Sequence, residues 1–73
     1  MEALRPKEEA ELYMSAAESA VEDDEDFKRD NPDMTAKEYA LERVDSDIRY
    51  AKRTKQYNWA KHLERVRKWI ERR

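Results

Sequence analysis

Lys61, Arg65, Lys68 and Arg72 follow one another at steps of four, three and four residues. On a helix that spacing puts all four side chains on one face, and a row of cations is what tracks a phosphate backbone. Arg49, Lys52, Arg53 and Lys55 carry the positive charge back through the preceding segment, and Tyr50, Tyr57 and Trp69 offer flat faces on which unpaired bases stack. The row holds no Asn or Gln to pair bidentately with adenine, so nucleic acid bound this way is read with little sequence preference. The plain alternative is a solvated helix face, because Lys and Arg also suit the last turns of a helix for electrostatic reasons.

The other half of the chain has the opposite sign. Residues 1–48 hold 16 Asp and Glu against 6 Lys and Arg, and residues 49–73 hold 2 against 10, local balances of -10 and +8 hidden under a formal charge of -2. A chain so divided is neutralised by its own other half, by a second copy or by an outside partner. Asp23, Asp24, Glu25 and Asp26 form the densest acidic stretch and match a basic surface on another protein, with Tyr50 and Trp69 as the aromatic anchors that dominate interfaces. Their plain alternative is a solvated, frayed helix end. Calcium is a poor fit, since an EF-hand loop turns on a glycine and the chain has none.

Little else points to catalysis. His62 is the only histidine, with Glu64 and Arg65 as its sequence neighbours; Ser15, Ser19 and Ser46 have no histidine within local reach. Zinc needs three or four ligands, and catalysis needs a positioned acid, base or nucleophile in a concavity that 73 residues of helix hardly enclose. The expectation is a protein that is not an enzyme and that uses no metal or cofactor.

The elements that position these residues are helices. With no Gly, two Pro and many Ala, Glu, Lys, Arg and Leu, the composition feeds helices and starves hairpin turns. Residues 1–73 are expected to form one small all-α domain, a three-helix bundle with a C-terminal αα-hairpin. An acidic helix over 6–29 opens at Pro6, whose missing amide hydrogen suits the first helical position. Its apolar stripe reads Leu12, Tyr13, Ala16, Ala17, Ala20 and Phe27. Asn31-Pro32 enforces a break over 30–34, because the residue before proline is driven out of helical geometry. Thr35 and Glu38 have capping-box spacing and Met34 and Tyr39 occupy the hydrophobic-staple positions, which starts a helix over 35–54. Leu41, Val44, Ile48 and Ala51 form its stripe, with Tyr39 and Tyr50 on the far side, where the first helix is expected to pack. A helix over 57–72 closes the hairpin on Trp59, Leu63, Val66 and Ile70, with Trp69 at the flank.

The turn from Ala51 to Ala60 resembles that of one tetratricopeptide unit, with Tyr57 and Ala60 at the matching aromatic and small positions. The family's turn glycine, its Trp and Leu-Gly pattern and a repeat of about 34 residues are all missing, so no peptide-binding role carries over.

With 38% hydrophobic and 47% charged residues and no Cys, the core is thin and has no covalent staple. Association with a second copy is the remaining way to complete such a core. No apolar run reaches signal-peptide or membrane-span length, so the expected location is the cytoplasm, without a membrane partner. The functional expectation is a small regulatory or adaptor protein of the phage or mobile-element kind, binding and inhibiting or modulating a protein that handles nucleic acid. A low-specificity nucleic-acid binder using Arg53, Lys55, Lys61, Arg65, Lys68 and Arg72 is the main rival, and a homo-oligomeric scaffold is the third.

Overall fold

The structure is a computed structural model that describes residues 4–73. It contains α1 (Pro6–Asp23), α2 (Glu25–Asp30), α3 (Ala36–Arg53) and α4 (Tyr57–Glu71), and among the described residues there is no strand. The three long helices form the bundle, and α2 is a short turn of helix between the first two of them.

The acidic helix expected over 6–29 is therefore two helices. Asp24 has extended backbone, ends α1 and caps α2 by accepting the Phe27 amide at 3.1 Å. The physical cause lies in the acidic run itself. At the C-terminal end of α1, which has no basic residue in its last turn, carboxylates face the negative end of the helix dipole. Restarting the helix at Asp24 moves Glu25 and Asp26 to a first turn, where the same charges are favoured, and leaves Lys28 and Arg29 in the last turn. Asn31 then ends α2 ahead of Pro32, its amide donating to the Phe27 carbonyl at 2.8 Å.

The start of α3 follows local rules. Thr35 Oγ1 accepts the Glu38 amide at 3.1 Å. At the other end the chain reverses without a glycine. Gln56 N–H donates to the Ala51 carbonyl at 2.8 Å and Lys55 N–H to that of Lys52 at 3.1 Å, the paired bonds of a Schellman turn. Lys55 takes the left-handed position at φ 60°, where its Cβ costs on the order of 1 kcal/mol. Thr54 secures the turn, its hydroxyl bonding the Tyr50 carbonyl at 3.0 Å and accepting from Gln56 Nε2 at 2.7 Å. Lys55→Gly is thus expected to raise the melting temperature by a few degrees, part of the relief being cancelled by glycine's freedom in the unfolded chain. A thermal melt followed by circular dichroism checks this, and a lowered midpoint would contradict it.

The core is one cluster in which α1 supplies Ala10 and Ala17, α3 supplies Ala40, Val44 and Ile48, and α4 supplies Leu63, Val66 and Ile70. Val44, Leu63, Val66 and Ile70 are its largest fully buried side chains. Alanine on α1 lets that helix approach closely while burying little area itself. Three expectations are corrected here. Leu12 is 57% exposed and Ala16 is also exposed, because the buried face of α1 runs through Ala10, Tyr13, Met14 and Ala17 instead. Trp59 lies at the rim rather than in the α4 stripe, which begins at Ala60. Leu41 is only half-buried, its place at the centre of α3 taken by Ala40.

The two tyrosines on the far side of α3 also part company. Tyr39 meets Phe27 of α2 edge to face at 5.2 Å, so the short helix covers it. Tyr50 is half exposed and meets Trp59 edge to face at 6.3 Å. The hairpin itself is antiparallel, shown by Lys37 Nζ on the Glu71 carbonyl at 2.8 Å, Arg67 on Asp45 at 2.8 Å and Lys52 near Glu64 at 3.5 Å.

Candidate nucleic-acid interface

Periodicity on α4 separates its two faces. Ala60, Leu63, Val66 and Ile70 are buried, and Lys61, Arg65, Lys68 and Arg72 are exposed on the opposite side. Between Lys61 and Arg72 the helix rises about 16 Å. Tyr57 begins the same row one turn before Lys61 and is 59% exposed.

The same helix carries two carboxylates, and their positions decide the electrostatics. Glu64 is drawn to Lys52 of α3, and Glu71 pairs with Arg67, which also binds Asp45 of α3. Both acids are thus engaged by cations outside the row. Among the described residues, none of Lys61, Arg65, Lys68 and Arg72 forms an ion pair, and neither does Arg53 or Lys55. Four cations therefore stand along one ordered face without a carboxylate partner among the described residues, with Lys55 in the turn just before it.

Charge pairing between the halves of the chain goes elsewhere. Glu9 of α1 contacts His62 of α4, and Glu11 lies 3.3 Å from Arg73. The acidic run takes no part in this. Asp24 is occupied as a helix cap, Asp26 pairs locally with Arg29 at 2.8 Å, and Asp23 and Glu25 have no ion pair among the described residues. No ion pair joins the run to the α4 row.

Tyr50 and Trp69 are not one anchor site. Tyr50 packs on Trp59 at the turn end of the hairpin, and Trp69 stands ten residues further along α4, roughly 15 Å away along the axis. Trp69 instead has two cations over its ring, Lys7 Nζ at 5.8 Å and the Arg72 guanidinium at 5.1 Å from the centroid.

No family model, no curated protein and no solved structure matches this chain.

Two polar contacts were invisible to sequence reasoning. His62 meets Glu9, 53 positions away, rather than Glu64 or Arg65. The Tyr13 hydroxyl donates to Asp47 at 2.5 Å across α1 and α3. Burial holds the Tyr13 phenol well above its ordinary pKa of 10.0, reinforced by the Asp47 hydrogen bond and by the charges of Asp47 and Glu9, with Arg43 opposing. Native protein therefore keeps this proton to higher pH than unfolded chain does. The stabilisation is complete below pH 10.0 and is lost as pH rises through the native value. Tyr13→Phe is expected to cost about 1 kcal/mol at neutral pH. Above pH 10 its urea-unfolding free energy should fall less steeply than that of the parent protein; parallel curves would contradict the assignment.

Among the described residues no group of three acidic or imidazole side chains converges as a metal-ligand set, and no helix is long and apolar enough to cross a membrane.

Proposed function

We propose that this protein is a non-enzymatic binding module that engages nucleic acid with low sequence specificity through the exposed face of α4, acting in the cytoplasm. One observation carries the reading: among the described residues Lys61, Arg65, Lys68 and Arg72 lie in a row without ion pairs, while Glu64 and Glu71 are occupied by Lys52 and Arg67. Ordered cations whose counterions are solute ions release those ions to a polyanion, and that release drives association. Four such contacts give log affinity a slope against log salt of about -3, at 0.7 to 0.9 per phosphate neutralised. Fluorescence anisotropy of labelled oligonucleotides across a salt series tests it. The absence of binding at low salt would remove it.

A second reading has its own support. Asp24 fixes the corner between α1 and α2, so Asp23 and Glu25 are presented from a held backbone rather than a frayed end. In that reading the corner docks on a basic surface of a nucleic-acid-handling protein, and the chain is a regulator or inhibitor of the phage or mobile-element kind. A partner retained from nuclease-treated lysate, and released by Asp23→Asn with Glu25→Gln, favours it over the first.

A further inference from the structure

The first turn of α1 meets the last turn of α4 at the end of the basic row. Lys7, Ala10, Trp69, Arg72 and Arg73 line a cleft of about 240 Å³ there. Arg72 belongs to both the row and the cleft. Ala10 lies buried beneath it, the Trp69 indole forms one wall, and Lys7 and Arg72 stand over that ring at 5.8 and 5.1 Å from its centroid. Glu11 engages Arg73 at 3.3 Å, and among the described residues Lys7 and Arg72 form no ion pair.

The geometry points to this cleft as a subsite for one unpaired base of a single-stranded nucleic acid, which stacks on Trp69 by displacing Lys7 and Arg72 from over the ring and draws those two cations onto its flanking phosphates. The inference rests on the reading of the α4 row as a nucleic-acid face, and it names which form is bound. The recess is smaller than the roughly 300 to 1,000 Å³ of sites for drug-sized ligands, a scale suited to a single planar ring system rather than a base pair. Bases in a duplex are stacked on one another and their faces are closed to an indole, whereas those of a single strand are open. Tyr57, exposed at the other end of the row about 18 Å along the axis, offers a second face to the same strand.

The test compares an oligothymidylate with a duplex of equal length by anisotropy at low salt, on the full chain. Single strands are expected to bind more tightly. Trp69→Leu should weaken single-strand binding by roughly 5- to 140-fold, the value of one base stack, and leave duplex binding nearly unchanged. Trp69→Phe should restore much of the loss, and it also covers the case in which the leucine variant melts early. Equal affinity for both forms, with the leucine variant binding single strands as the parent does, overturns the cleft and leaves the row standing. Capture of poly-glutamate as tightly as oligothymidylate overturns it too, since an acidic peptide uses the cations without the indole. Binding to neither nucleic acid overturns the row and the cleft together.

Discussion

Leu63→Ala is expected to remove a large share of the protein's stability. Leu63 has no exposed surface and sits where α4 meets the rest of the cluster. Truncating such a leucine costs about 2 to 5 kcal/mol, part lost transfer energy and part the cavity left behind. At roughly 0.05 to 0.15 kcal/mol per residue, a chain of this length has about 4 to 11 kcal/mol in total. Small domains bury a low fraction of their surface, and this one has no disulfide to compensate. The melting temperature should fall by at least roughly 10 °C, read by circular dichroism. Leu12→Ala is the matched control. Because Leu12 is mostly exposed, its loss should change stability by no more than about 0.5 kcal/mol. Equal effects of the two substitutions would contradict the packing described here.

Replacing Lys61, Arg65, Lys68 and Arg72 together by Gln is expected to abolish most nucleic-acid binding without unfolding the helix. Gln has nearly the helix propensity of Lys and Arg, and all four side chains are exposed, so far-ultraviolet circular dichroism should be unchanged. At about 0.5 to 1 kcal/mol per exposed charge contact, affinity at low salt should drop by roughly 30- to 1,000-fold. The salt slope should shrink by about one unit per cation removed, leaving little of it. A variant that keeps both affinity and slope would show that other cations make the contact. Arg53 and Lys55, also exposed and without ion pairs among the described residues, are then the next to be changed.

Much of this architecture was legible because it is local. The Thr35 cap, the break at Asn31-Pro32 and the opposed faces of α4 each depend on residues within about one helical turn of one another, the range over which spacing fixes geometry. Helix content followed from composition for the same reason. The split at Asp24 was also written locally, since an Asp three residues before Phe27 is a cap signal, but one long helix and two shorter ones compete closely there. What favours two is the sign of the helix dipole acting on a run of acids.

By itself the sequence determined that the chain is helical, that α4 carries a positive face and that the acids gather in the first half. Tertiary structure alone decided which face of α1 is buried, because Ala10 and Ala17 are inward only once α3 and α4 are in place. It also decided that Tyr50 and Trp69 stand apart and that His62 meets Glu9. Most of all, it decided that Lys52 of α3 takes up Glu64 and that Arg67 binds Asp45 of α3, whereas the pair of Arg67 with Glu71 lies within α4 at i,i+4 spacing. Periodicity assigns a residue to a face and brings Arg67 to Glu71, but the engagement of Glu64 depends on Lys52, contributed by another helix. The row on α4 has no ion pair among the described residues because α3 draws Glu64 to Lys52 and because Arg67, on α4 itself, holds Glu71.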